Sequence, residues 1–368
     1  MPDQNELKLP LYAKAPLVML GLALVVFTLH IASNIIFPLF FAAIFAILLH
    51  PIEQFLIRRN VPPLLAITLT VLLGMVALLA LVYFIYMEAA QLGSQWPQFK
   101  AKLIQTGQEL QAWLAARFGI SNQRLMDWLR EAGSRTTAMA GGAVTAVSGL
   151  LVVATLIPVY IFLLMLYQRR LINFLTQVFS GKRQDTNVAE VLRESKATIQ
   201  SYMVGLLIEA SIVATLNTVG LLIIGVPYAL LLGVVGALVN FIPYIGGLVA
   251  VALPMLMAFI STEGYGSVLA VLGVYLLIQF IDNHYLIPRI VASKVKVNAL
   301  AAIVGVLVGN AIGGVAGMFL ALPVIAILKI IFDRIEPLKP WGLLLGDEEG
   351  IRGRPRKPGS AVVPGPVG

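Results

Sequence analysis

Between Ala197 and Pro288 the sequence carries no Lys or Arg and only three acidic residues, Glu209, Glu263 and Asp282. Glu209 lies about 11 residues into an apolar helix, and Asp282 stands with Asn283 and His284 near the inner end of its helix, just before Pro288. A lone carboxylate in hydrocarbon costs several kcal/mol unless it is protonated, paired or hydrated. Acidic groups without a basic partner suit cations, which makes Glu209 and Asp282 candidates for binding a proton or cation. The blander alternative is a protonated Glu209 bonding across helices and an Asp282 that caps a helix or meets water at the inner interface. The amides Asn217, Asn240, Gln279, Asn283 and Asn310 can bind a polar solute or bridge helices. His30, His50 and His284 are scattered without metal-ligand spacing. The chain has no Cys, which removes disulfide and thiolate-metal chemistry. No nucleotide-binding Gly-rich loop, Gly-x-Ser-x-Gly or His-Glu-x-x-His occurs, and the residue sets of intramembrane proteases are missing. The expectation is therefore no enzyme, no resident cofactor and no metal.

The elements that position these residues follow from composition. Of 368 residues, 59% are apolar and 12% charged, and mean hydropathy is +0.91. Soluble domains are nearer half apolar and a quarter charged. The stretch from Leu17 up to Glu53 has no charged residue, and neither has Val61 to Met87. About 20 apolar residues suffice to cross a bilayer core of ~30 Å. Backbone polar groups in hydrocarbon must be satisfied within the segment, so these runs predict helices. The expected class is all-α, a polytopic transmembrane helical bundle. The first run is too long for a signal peptide and reads as a retained span. The net charge of +8 suits cytoplasmic loops at an anionic membrane face better than nucleic acid.

Spans are expected at 16–36, 38–57, 62–87, 140–168, 198–224 and 265–287. Pro38 and Pro51 bracket the second, and Pro62-Pro63 opens the third. Only six of the 26 Lys and Arg lie between Lys100 and Arg135, and the rest fall on the opposite side of the implied topology. That asymmetry places both termini in the cytoplasm. Residues 88–138 then form an extracytoplasmic segment whose Trp96, Trp113 and Trp128 recur with Leu at near-helical spacing, as in amphipathic interfacial helices. Residues 180–197 read as a cytoplasmic link and charged helix. Residues 341–368 read as a disordered cytoplasmic tail. The division is 1–87, 88–138, 139–340 and 341–368.

Two apolar regions do not fit single spans. Region 227–260 would be about 51 Å long as one helix, and it is interrupted at Asn240-Phe-Ile-Pro243-Tyr-Ile-Gly246-Gly247. Region 298–332 is interrupted at Gly309-Asn310-Ala-Ile-Gly313-Gly314. Pro254 and Pro323 sit in the two returning arms. Both regions are expected to form re-entrant helical hairpins, the alternative being ordinary short spans. The units 198–260 and 265–332 then have opposite topology, a recurring architecture of secondary transporters. Glu263 would lie at the outer mouth of the first. Gly305, Gly309, Gly313 and Gly317 recur every four residues, which favours close helix packing or, on a sharper reading, sliding during transport.

The second half carries a set of recognisable blocks. They are Pro227-Tyr-Ala-Leu-Leu-Leu-Gly233, Asn240 to Gly247, Asp282-Asn283 followed by Pro288, Gly313 to Lys329, and the closing Phe332-Asp-Arg-Ile-Glu-Pro-Leu-Lys-Pro340. In order and spacing they resemble the autoinducer-2 exporter family over roughly 16–340. The resemblance implies an oligomeric bacterial inner-membrane transporter. Members are associated with export of the quorum-sensing molecule autoinducer-2, and others with sodium/proton antiport. It marks Pro243, Gly246, Asp282, Asn283 and Pro288 as motif positions. Many members have Gly-Pro where Gly246-Gly247 stands and proline where Ala299 stands. The expected function is a secondary transporter or exporter of a small polar molecule, coupled to a proton or Na+ gradient in the lipid bilayer. A sodium/proton antiporter and a non-transporting membrane scaffold are the alternatives. The expected pathway comprises Glu209, Asn217, Asn240, Pro243, Gly246, Gly247, Gln279, Asp282, Asn283, Asn310, Gly313 and Gly314, with Pro254, Pro288 and Pro323 as hinges. If the two breaks frame that path, cysteines introduced at them will react with a water-soluble thiol reagent from at least one face. Inertness from both faces in every state would remove the idea.

Overall fold

The structure, a computed structural model, describes residues 11–94, 101, 104–105, 108, 156–178, 188–241, 245–261, 266–291 and 294–347. Helices α1 (Leu11–Ile31), α2 (Ser33–Arg58) and α3 (Pro63–Ser94) come first. Helix α4 (156–178) precedes α5 (Val188–Ile224), α6 (Ala229–Val239) and α7 (Ile245–Ser261). Helix α8 (Gly266–Ile281) continues into a π-helical turn, Asp282–Val291. Then follow α9 (Ala299–Arg334), a 3-10 turn (Glu336–Leu338) and α10 (Lys339–Leu345). Among the described residues the only β pairing is one isolated bridge, Val297 to Gly346. Five of these helical stretches are long and apolar enough to cross a membrane. Side chains such as Leu64, Leu72, Val76 and Leu79 on α3 are more than half or nearly half exposed, as a lipid-facing surface requires. The chain is an all-α, multi-pass membrane protein.

The same chemistry stops α2 and α5. Asn60 takes a left-handed φ of 64° after α2, and Gly225 one of 81° after α5. The next N–H reaches back five residues in each case, Val61 to the Leu56 carbonyl at 3.2 Å and Val226 to the Leu221 carbonyl at 3.0 Å. A proline follows both, at Pro62 and Pro227. Asn and Gly are the residues that tolerate this conformation, and proline prevents the helix from resuming.

Three expected boundaries shift. The first turn falls at Ala32, so Pro38 and Pro51 both lie inside α2 instead of bracketing it. Prolines are tolerated in membrane helices because neighbouring groups re-satisfy the freed carbonyls. The charged segment before residue 198 is not a separate helix but the start of α5, which has neither Gly nor Pro to break it until Gly205. Glu190 and Glu194 there meet Arg334 at the end of α9, at 3.3 and 2.8 Å. These pairs are exposed and screened by solvent, so they add little to stability. The helix of 265–287 runs on through its widened turn to Val291. Residues 109–155, with most of the expected interfacial segment, and the tail beyond 347 lie outside the described residues. Helical order extends past residue 341, because Asn298 binds α10 to the start of α9. Its Oδ1 accepts from the Ala301 N–H at 2.8 Å, while Nδ2 donates to the carbonyls of Leu344 (2.5 Å) and Gly346 (3.0 Å).

Each interrupted apolar region turns back on itself. In α9 the backbone leaves helical geometry at Gly313 (φ −143°, ψ 21°) and Gly314 (φ 58°, ψ −139°). The second of these is open only to glycine. The arms then lie side by side: a methyl on Gly309 would strike the Gly317 carbonyl, and one on Gly305 would strike the Ile325 side chain. The glycine series therefore packs one arm of α9 on the other. In the first region a methyl on Gly236 would touch Ala250, and one on Gly246 would lie 2.7 Å from the Asn240 Cα. Pro254 and Pro323 are fully buried in the returning arms.

The fold-back of α9 can be checked directly, because the chain has no native Cys. A Gly305→Cys, Ile325→Cys double variant is expected to form an intramolecular crosslink. In a straight helix those positions would be about 30 Å apart and no crosslink would form.

Candidate functional site

Helix α5 is the hub of the bundle, packing against α2, α6, α8, α9 and the π-helical turn. Its buried residues recur at Tyr202, Gly205, Glu209, Val213, Asn217 and Leu221, one face at helical period. The buried residues of α8 and its continuation, Val271, Tyr275, Ile278 and Asp282, form the matching face. The two helices run antiparallel, so these faces meet in rungs. Glu209 faces Asp282, Val213 clusters with Ile278, and Leu221 with Val271. Asn217 and Tyr275 fall on the rung between the last two, both beside Gly236 of α6. Polar and apolar rungs thus alternate along the interface.

The Glu209–Asp282 rung is the chemical centre. Glu209 is 5% exposed and Asp282 1%. The two carboxyls lie close enough to interact with each other, and Asn240 lies beside them. The Asn240 Nδ2 donates to Asp282 Oδ2 at 3.2 Å. A hydrogen bond between two carboxyl groups would require a proton on one of them. No Lys or Arg pairs with either carboxyl among the described residues. Elsewhere in the bundle, buried Glu53 takes His50 Nδ1 at 2.8 Å.

Local sequence explains how Asp282 comes to face Glu209. Pro288 has no N–H and its ring crowds the carbonyl one turn back, and the helix relieves this by widening to π geometry from Asp282. Gly205 lets α5 approach that turn, since a methyl there would lie 2.7 Å from the Ile290 carbonyl oxygen. Asp282 is therefore enclosed, not solvated at an interface.

The other expected pathway residues divide by location. Gln279 Nε2 donates to Asn283 Oδ1 at 3.3 Å. Gly247 lies against this pair, its missing methyl 3.4 Å from Gln279 Oε1. Gln279 is half-buried and Asn283 exposed. Asn240, Gly246, Gly247, Gln279, Asp282 and Asn283 thus surround the tip of the first broken region. Pro243 lies outside the described residues. Asn310 is exposed on the first arm of α9 and belongs to the second break with Gly313 and Gly314, where Gly313 packs on the Phe37 ring. The two breaks approach through aromatics. Phe241, at the first tip, meets Phe319 edge-on at 6.1 Å between ring centroids, and Phe319 stacks on Phe41 at 5.6 Å. The carbonyl of Ile312, beside the second break, takes His30 Nδ1 at 3.2 Å. An apolar groove of about 430 Å³ between α2 and α4, lined by Leu39, Tyr160 and Phe174, lies away from this cluster.

Sequence reasoning missed Tyr275 and the His50–Glu53 pair. The signal for Tyr275 was its place seven residues before Asp282, matching Asn217 eight residues after Glu209.

A family model described as AI-2E family transporter matches residues 17–336. The AI-2 transport protein TqsA of Escherichia coli (strain K12) is 27% identical over 338 residues, covering 90% of this chain and 95% of that protein. "Putative transport protein YhhT" of the same organism is 26% identical over 340 residues, 91% of this chain and 93% of that one. "Putative transport protein YueF" of Bacillus subtilis (strain 168) is 24% identical over 317 residues, 82% and 85% of the two chains.

Asn240→Ala removes the amide from Asp282 Oδ2 and leaves a buried acceptor unpaired. It is expected to destabilise the protein by about 1–3 kcal/mol, read as a lower melting temperature in detergent. An unchanged melting temperature would separate Asn240 from the carboxyl rung.

Proposed function

The chain belongs to the AI-2E transporter family, and on that premise we propose that it is a secondary transporter exporting a small polar molecule of the autoinducer-2 type, driven by a proton or cation gradient. The observation that carries the coupling is the Glu209–Asp282 pair, buried, adjacent and without a cationic partner among the described residues. In its fully ionised form the pair would place two negative charges in a low-dielectric interior, at a cost of several kcal/mol. Binding a proton or Na+ offsets that charge. The occupied pair can then be carried through a rearrangement that the empty pair resists, which is the minimal requirement for coupling.

The substrate is placed at the tip of the first broken region, where Asn240, Gln279 and Asn283 present amides beside Gly247. Amides recognise hydroxyl and carbonyl groups without demanding charge. Both broken regions are read as re-entrant, and the Phe241–Phe319 contact supports a joint gate. We place the protein in a bacterial inner membrane with both termini cytoplasmic, as a homo-oligomer. The second reading, sodium/proton antiport, is favoured by the same pair: two carboxyls and the Asn240 carbonyl are hard oxygen ligands for Na+.

Proteoliposomes under imposed gradients test the proposal. Flux of autoinducer-2 by the wild type is expected to follow the pH or Na+ gradient, and Glu209→Gln or Asp282→Asn to lose that dependence. Coupling that survives in both variants would overturn the ion role. Proton movement driven by Na+ alone, with no other solute, would favour the antiporter.

A further inference from the structure

The rung two turns from the carboxyl pair carries polar groups that the proposed coupling does not use. Asn217 is 2% exposed and Tyr275 3%. The Asn217 Oδ1 and the Tyr275 hydroxyl are both buried without a hydrogen-bond partner among the described residues. They come from different helices and converge on one spot. A methyl built on Gly236 would lie 3.6 Å from the Asn217 Nδ2, 3.6 Å from the Tyr275 hydroxyl and 3.6 Å from the Ala250 Cβ. Four helices, α5 to α8, therefore meet at Gly236, beside the unpaired Tyr275 hydroxyl and the amide of Asn217, whose Oδ1 is the unpaired atom.

Leaving one buried hydroxyl or amide oxygen unpaired is costly. Two at one point, in an otherwise closely packed interface, mark a place for a bridging group. That group must donate to an amide oxygen and exchange a hydrogen bond with a phenol. It must also be small, and it meets no formal charge here. Apolar rungs seal the spot on both sides, Val213 with Ile278 towards the carboxyl pair and Leu221 with Val271 beyond. We propose that Asn217, Tyr275 and the space beside Gly236 form a second, uncharged binding site that takes a hydroxyl group, donating to Asn217 Oδ1 and bonded to the Tyr275 hydroxyl. The hydroxyl belongs either to water or to a small polyhydroxylated solute. The site goes beyond the coupling role of Glu209 and Asp282 and stands on separate residues.

The sign of two small substitutions tests it. If the space is dry, Tyr275→Phe removes an unsatisfied hydroxyl and leaves the melting temperature unchanged or higher. Gly236→Ala would then raise it, because alanine favours the helix and its methyl meets only ordinary contacts. If a hydroxyl is bound, both substitutions lower the melting temperature of the purified full-length protein in detergent, by about 2–4 °C each. The double variant is then no worse than the poorer single, since the same ligand is lost once. Unchanged or raised melting temperatures in both singles would overturn the site. Millimolar erythritol separates the sources: a stabilisation of the wild type that Tyr275→Phe lacks assigns the hydroxyl to a solute, and none assigns it to water. Repeating the set on a Glu209→Gln background keeps the outcome independent of the coupling proposal. The same contrasts are expected there.

Discussion

Two carboxyl groups held face to face in an apolar interior, with no Lys or Arg paired to them among the described residues, constrain everything around this interface. Mutual repulsion and desolvation both oppose the arrangement. It persists because α5 and α8 are held in register by the apolar rungs on the far side, because Gly205 brings the π-helical turn close, and because Asn240 donates to Asp282. The bases are kept away. Arg334 goes to Glu190 and Glu194 at the helix ends. A base beside the pair would neutralise it permanently and leave nothing for a mobile ion to do.

The broken regions follow from a related constraint. A non-helical backbone frees N–H and C=O groups, and hydrocarbon offers them no partner. Here the second break sits against protein. Gly313 packs on Phe37, Ile312 takes the His30 ring, and Phe241 meets Phe319 edge-on. The glycines of α9 matter for approach more than for bending. At Gly309 and Gly317 the two arms touch backbone to backbone, which no side chain would permit. Aromatic rings near the breaks and glycines along the arms make one region tightly packed.

The membrane class, the positions of the two breaks and the two acidic residues could all be read from the order of residues. Each is a local property: uncharged runs of spanning length, Asn-x-x-Pro and Gly-Gly interruptions, acids isolated by scores of apolar neighbours. Helix ends were legible where Asn60 or Gly225 precedes proline. They were misjudged where proline alone was taken as a stop, as at Pro38, because a proline inside a membrane helix costs little when neighbours supply partners. The charged start of α5 was separated from its apolar continuation by composition, yet the backbone does not register that change of solvent.

What needed the tertiary structure was partnership. Glu209 and Asp282 are 73 positions apart, and only the antiparallel register of α5 against α8 makes them a pair. That register depends on glycine contacts, on the π-helical widening at Pro288 and on apolar rungs, none of which is visible as a pattern in either helix alone. The same register pairs Asn217 with Tyr275, whose ring reads in sequence as one more apolar face residue. By itself the sequence determined that the chain lives in a membrane as broken helices carrying isolated acids, since solvent preference and backbone strain are local. Which acids and amides share one site was decided by packing between distant segments, because a hydrogen bond forms only between atoms that the fold brings within about 3 Å.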